Sequence, residues 1–308
     1  MPIVTTDVPI TSRRNTELIQ LLVEKYPFLS ARQFGTTAFG RPLWALPVGN
    51  GERQVLYTAA LLANEWITAY GLRKFAEELA QAISDGGSGY GIPANTIANA
   101  ATITLVPLVN PDGVDLVTGA VEPDSPQYLL ARALGENYPT IAFPDGWKAN
   151  LMGVDLNLQY PAGWLRAREI KFAQGFTRPG PRDFVGRGPL LQAESRALAN
   201  LTEEIDPTLV LAYHTQGKVI YWQFEDIQVP GAQALAEDFA RTSGYSLETV
   251  PPESAFAGYK DWFIRFFGRP GFTIEAGSGE NPLPLDQFDE IYRDNLGILT
   301  AAATGLPG

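Results

Sequence analysis

The sequence predicts an α/β protein whose mostly parallel sheet is covered by helices on both faces. Short β-rich apolar runs alternate with segments of helical periodicity, and the central runs are too continuously apolar for a solvated sheet face. Composition agrees. With 308 residues, 45% of them hydrophobic and 19% charged, the chain can bury a large core, and disordered or collagen-like classes are excluded. At roughly 150 residues per domain the length would divide in two, but large sheets run past that size as one unit. A single domain over residues 1–308 is therefore expected.

Asn15 is placed to cap a first, surface helix whose stripe of Leu18, Ile19, Leu22 and Val23 stops at Pro27. Arg41–Val48 and Gln54–Ala60 read as strands joined through a tight hairpin turn at Asn50-Gly51, the second of them central and buried. Helical periodicity follows over Glu65–Ile83 and ends in Asp85-Gly86-Gly87, which begins a βαβ unit. Thr102–Val109 is a further strand, stopped by the turn tetrapeptide Asn110-Pro111-Asp112-Gly113. A long Pro-, Gly- and Asn-rich stretch runs from there to about Arg187 with little periodicity, and loops of that length inside a domain are usually functional. Beyond it, helices are expected over Gln192–Ile205, Gly231–Thr242, Tyr259–Phe267 and Asp286–Thr304. Strands are expected over Leu209–His214, Val219–Trp222 and Phe272–Glu275.

Charge and composition remove several function classes. A net charge of −11 with no basic run argues against a nucleic-acid partner. Without cysteine there is no disulfide framework, thiolate metal site or thiol nucleophile. No apolar run approaches the roughly 18 residues of a membrane span, and the opening Met1–Asp7 lacks the basic and apolar regions of a signal peptide. The chain as written is expected in the cytoplasm; one processed from a longer precursor would be extracellular. Nothing repeats and no coiled-coil pattern appears, which leaves a scaffold role without support.

Ligand sites in open α/β sheets lie beyond the carboxyl ends of the strands. Three polar residues fall there: Glu65 shortly after Gln54–Ala60, His214 at the end of Leu209–His214, and Glu275 at the end of Phe272–Glu275. Two readings of this trio stand side by side. One is a hydrolytic zinc site with a general base; the other is a helix-start glutamate, a buried histidine and a structural ion pair. His214 is the only histidine, so any zinc must rest on one imidazole plus carboxylates.

The words around these residues are more specific. Leu62-Ala63-Asn64-Glu65-Trp66-Ile67-Thr68 resembles the His-x-x-Glu-Trp-Ile-Thr metal motif of the zinc carboxypeptidase (carboxypeptidase A-like) family. Asn110-Pro111-Asp112-Gly113, Gly153-Val154-Asp155-Leu156-Asn157, Tyr213-His214-Thr215-Gln216-Gly217 and Phe272-Thr273-Ile274-Glu275-Ala276-Gly277 are similar to further family segments, in the family order, across essentially the whole chain. Trp147-Lys148-Ala149-Asn150, Tyr213–Tyr221 and Gly258-Tyr259-Lys260-Asp261-Trp262 most resemble the bacterial branch that cuts the γ-D-glutamyl to diaminopimelate bond of cell-wall peptides.

The resemblance implies one domain with a mixed, twisted sheet of about eight strands and helices on both faces. It implies zinc held by Glu65 and His214, Glu275 as general base, and Asn157 on a substrate carboxylate or backbone group. Lys148 is the only cation of the stretch Trp147–Met152, where the family places its transition-state arginine. Tyr259 stands in weakly for the family's mobile tyrosine, whose own position falls near Glu253. Lys260 sits in the segment lining the side-chain pocket, where it would pair with the free carboxylate of diaminopimelate.

Two departures qualify the function. The family's first zinc ligand, a histidine, is Leu62 here, and an isobutyl group cannot coordinate a metal. At on the order of 3 kcal/mol per ligand, its loss weakens zinc binding about a hundredfold. Leu158 stands where much of the family carries an arginine for the substrate C-terminus, which argues against a strict carboxypeptidase. The expected protein is a metallopeptidase-family chain directed at small cell-wall peptides, with weak zinc binding and impaired or absent hydrolysis. The alternative is a non-catalytic binder of such peptides.

Overall fold

Alternation along two central strands shows how the sheet is buried. In β3 (Arg53–Ala59, after β1 Arg32–Thr36 and β2 Pro42–Val48), Val55 and Tyr57 pack into one core while Leu56 packs into a second. After β4 (Ala101–Val106), β5 (Leu209–His214) repeats the pattern, with Leu209 and Leu211 on the first side and Val210 and Ala212 on the other. Burial on both faces is why these segments read as unbroken apolar runs.

The first face is covered by α1 (Ser12–Lys25), α2 (Thr68–Asp85) and the short α3 (Ala94–Ala100), together with the C-terminal helices described below. Past α4 (Pro111–Val117), α5 (Pro126–Gly135) and α6 (Trp164–Ala173), helix α7 (Ala193–Ile205) covers the second face through Leu198 and Leu201. Helix α8 (Ala232–Ser243) returns to the first face through Phe239. Helix α9 (Tyr259–Phe267) joins α7 through Trp262 and Phe263, and α10 (Phe288–Thr304) closes the first face through Ile298 and Leu299.

With β6 (Val219–Tyr221), β7 (Ser246–Leu247) and β8 (Gly271–Glu275) the sheet has eight strands in the order β1-β2-β4-β3-β5-β8-β6-β7. The four central strands β4-β3-β5-β8 are parallel, whereas β1, β2 and β6 pair antiparallel with their inner neighbours. This is the mixed eight-stranded sheet the resemblance implied. Describing residues 2–305, the computed structural model leaves Met1 and residues 306–308, the ends of the expected single unit, outside the described residues. Among the described residues no helix is long and apolar enough to cross a membrane.

Several local expectations are corrected. Strands β2 and β3 do not form a hairpin, because β4 lies between them, antiparallel to β2 and parallel to β3. The Asn50-Gly51 segment instead donates both its backbone N–H groups to Ala98 O, and β3 pairs with β4 from Arg53 to Thr58. Helix α1 begins at the cap Thr11 rather than Asn15, whose side chain is buried and accepts from the Arg73 guanidinium. That helix also packs into the core through Leu18 and Leu22. The Asn110 tetrapeptide is the start of α4, with Asn110 Oδ1 accepting from Gly113 N. Strand β1 and helices α5 and α6 lie in stretches whose periodicity did not reveal them.

Glu194, in the first turn of α7, is buried and pushed up to about 7 by loss of water, against the help of Asn150 Nδ2 at 3.4 Å. A carboxyl whose folded pKa is raised contributes stability below its ordinary value and loses it as pH rises through 7. Glu194→Gln is therefore expected to match the parent chain at pH 4.5 and to be more stable at pH 8 by on the order of 3 kcal/mol. Thermal denaturation at the two pH values checks this, and a gain of equal size at both would refute it.

Candidate active site

Three parallel strands bring the predicted trio together. Glu275, the last residue of β8, is in register with His214, the last residue of β5. Beyond Ala59 of β3, Ala60 adopts a left-handed φ of 50° and turns the chain into the short 3-10 turn Ala63–Glu65. This turn is tied down from two sides. Ala63 N donates to Lys148 O at 2.9 Å, and Asn110 Nδ2 donates to Leu61 O at 3.2 Å and Ala149 O at 3.1 Å. Gly113 is needed at this junction, since a Cβ there would lie 2.4 Å from Ala149 O and 2.8 Å from Ala63 Cβ.

Glu65 is buried at the centre. Its Oε2 meets His214 Nδ1 at 2.8 Å and accepts from Thr215 N at 3.3 Å, while its Oε1 accepts from Lys148 Nζ at 2.8 Å. Burial works to raise the pKa of Glu65, but the Lys148 ammonium and His214 outweigh it and hold the carboxyl well below the usual range. The same contacts oppose burial at their partners, so Lys148 and His214 are both raised. Glu275 is pushed up to about 7, chiefly by burial, with the negative charge of Glu65 acting in the same direction and His214 and Lys148 opposing it. His214 Nε2 is buried without a hydrogen-bond partner among the described residues.

These residues line an open cleft of about 1020 Å³ at the carboxyl ends of the parallel strands. Most of the remaining wall comes from the long stretch expected to be functional: Asp145, Lys148, Asp155, Asn157, Arg182 and Asp183 all reach it. Leu62 lines the cleft beside Glu65, which is where a first ligand would stand, and it presents only an isobutyl group. Asn157 is also in the wall, held by Tyr259 N donating to its Oδ1 at 3.1 Å, so its amide NH2 remains for a ligand.

Two predicted substrate residues are placed elsewhere. Lys260 is buried, with Nζ 2.5 Å from Asp261 Oδ1 and donating to Gln223 O at 2.6 Å, and it does not line the cleft. Its ammonium is committed to neighbours of its own helix and of the chain after β6, so the expected pairing with a ligand carboxylate is not built here. Tyr259 is fully buried, its hydroxyl 2.8 Å from Thr202 Oγ1 and its ring packed on Tyr160 and Trp262. It serves as a packing residue between α7 and α9. The site residues that sequence reasoning missed are Arg182, Asp183 and Lys171, which form a chain of charges along the cleft. The one available signal was Arg182-Asp183, a charged pair interrupting the Pro- and Gly-rich run Arg178-Pro179-Gly180-Pro181.

The donor set does not fit the zinc that the sequence resemblance implies. Among the described residues no three His, Cys, Asp or Glu side chains are grouped to hold a metal. Leu62 offers no donor, both oxygens of Glu65 are engaged, and His214 Nδ1 is turned onto Glu65. An ammonium 2.8 Å from the only ligand carboxylate already supplies a positive charge where a dication would have to enter.

Comparison with known proteins agrees with this architecture. Residues 16–297 match the family described as zinc carboxypeptidase. A Lysinibacillus sphaericus protein named gamma-D-glutamyl-L-diamino acid endopeptidase 1 is 42% identical over 283 residues, covering 92% of this chain and 69% of the relative. Uncharacterized protein YqgT of Bacillus subtilis (strain 168) is 37% identical over 286 residues, covering 92% of this chain and 74% of the relative. Carboxypeptidase A from Helicoverpa armigera shares the fold at a TM-score of 0.70 and 16% identity, covering 98% of this chain and 75% of that one.

Proposed function

The chain belongs to the zinc carboxypeptidase family, and from that premise we propose that it recognises cell-wall peptides containing a γ-D-glutamyl to diamino-acid linkage without hydrolysing them through zinc. The substrate class is drawn from the name of the Lysinibacillus sphaericus relative, whose alignment takes in the whole cleft. The loss of hydrolysis rests on one observation: Leu62 stands at the first ligand position next to a Glu65 neutralised by Lys148 and His214.

The remaining residues support binding. Asn157 offers amide donors toward a ligand carbonyl or carboxylate, and Glu275 faces the cleft with a carboxyl near its midpoint at neutral pH, able to accept or donate a proton in a hydrogen bond. Leu158 in place of an arginine removes a reader of peptide C-termini and suits a linkage read in the interior of the peptide.

Calorimetric titration with L-alanyl-γ-D-glutamyl-meso-diaminopimelate, with and without a chelator, tests this reading. Saturable binding of equal strength in both conditions is expected, with intact peptide recovered by mass spectrometry. Chelator-sensitive cleavage of the γ-D-glutamyl bond by the unmodified chain would establish an active zinc peptidase instead. Absence of binding would remove the substrate class.

A further inference from the structure

We propose that Arg182 is the anion receptor of the cleft, its guanidinium fork taking a free carboxylate of the bound ligand. This deepens the peptide-binding reading and rests on it for the identity of the ligand. Three cations line the cleft among the described residues, apart from His214: Lys148, Lys171 and Arg182. Two are committed. Lys148 Nζ is on Glu65 Oε1 at 2.8 Å, and Lys171 Nζ is on Asp183 Oδ1 at 2.6 Å.

Arg182 differs from both. Only its Nε is bonded, to Asp183 Oδ2 at 2.7 Å, and neither terminal nitrogen has a hydrogen-bond partner among the described residues. The side chain is 42% exposed and lines the cleft. Its charge is close enough to the centre to act on both Lys148 and Glu65.

The orientation is built in. Asp183 is 13% exposed and is pinned by Lys171 at one oxygen and by Arg182 Nε at the other. Its backbone N donates to Asp155 Oδ2 at 3.2 Å, while Asp155 Oδ1 accepts from Asn157 N at 3.0 Å. One carboxylate therefore links the loop carrying Arg182 to the loop carrying Asn157, and both face the same ligand volume. A guanidinium held through Nε with its terminal pair free is prepared for bidentate carboxylate binding, and pre-orientation lowers the entropy lost when the ligand docks.

The test compares L-alanyl-γ-D-glutamyl-meso-diaminopimelate with derivatives amidated at each carboxylate in turn, on the full chain, by calorimetry. One amide is expected to bind the parent chain roughly 10–100-fold more weakly than the free acid, the range for a charge-assisted pair. Arg182→Gln should lose the same factor for the free acid and nothing further for that amide. Arg182→Lys, which keeps the charge without the fork, should recover only part of the loss. A variant that merely disturbed the loop through Asp183 would weaken acid and amide alike. If the parent chain binds the peptide and Arg182→Gln leaves the acid-to-amide ratio intact, Arg182 is not the receptor, although the peptide reading survives. If no cell-wall peptide binds, that reading fails and Arg182 is judged with glutarate against glutaramide in a thermal-shift titration. A preference for glutarate that disappears in Arg182→Gln supports the receptor, and no preference overturns it.

Discussion

Leu62→His is expected to convert a chain that retains far less than one zinc after dialysis into one that holds about one. Leu62 sits on the wall of the cleft rather than deep in the core, so an imidazole there can face Glu65 and His214 without being buried away from them. Restoring a third ligand is worth about a hundredfold in affinity. Zinc must also displace the Lys148 ammonium from Glu65 Oε1, which sets the gain below that of a site free of competing charge. Elemental analysis after exhaustive dialysis reads the result directly. Hydrolysis of a γ-D-glutamyl-diaminopimelate peptide is expected to appear with the metal and to vanish again when Glu275→Gln is added to the same background. Stoichiometric zinc on the unmodified chain would refute the account, since it would require a ligand that the cleft does not show.

Lys148→Met is expected to destabilise the fold by about 3–5 kcal/mol, the usual consequence of leaving a buried charge without its partner. Glu65 would keep His214 at 2.8 Å but lose the ammonium on its other oxygen. In a chain of this size that corresponds to a melting point roughly 5–8 °C lower. Combining Lys148→Met with Glu65→Gln should recover part of the loss, because the uncompensated charge is removed along with its partner. Strictly additive effects in that cycle would mean that Lys148 acts through packing of its aliphatic stem and not through Glu65. If the destabilisation appears as expected, the centre of this cleft is held by an internal ion-pair cluster.

The contrast between these two variants separates two roles of the same few residues. Leu62 decides whether a metal can be held, and its replacement should change binding with little effect on stability. Lys148 contributes to stability whether or not a ligand is present, because the pair it forms with Glu65 is part of the folded wall between the Ala63–Glu65 turn and the long loop.

The central strands and the strand-end trio were legible in the sequence alone. Strands β3 and β5 pack apolar residues on both faces, which requires unbroken apolar runs, β8 adds Phe272 and Ile274 to the first core, and a polar residue that ends such a run in the parallel part of the sheet falls at its carboxyl edge. Glu65, His214, Glu275 and the empty donor position at Leu62 follow from that rule and from words local in the chain. What the sequence could not show is which residues meet across it. The β2-β3 hairpin suggested by Asn50-Gly51 gives way to β4, whose packing is set by residues some fifty positions away. Lys260 and Tyr259 lie in the expected segment, yet α9 turns one toward Asp261 and the other toward Thr202, because helix orientation follows packing against α7 and the sheet. The role of Arg182 was not legible for the opposite reason: its guanidinium is held through Nε alone by an Asp183 that Lys171 and Asp155 fix in place, a relation among helix α6 and two loop segments that exists only after the chain has folded.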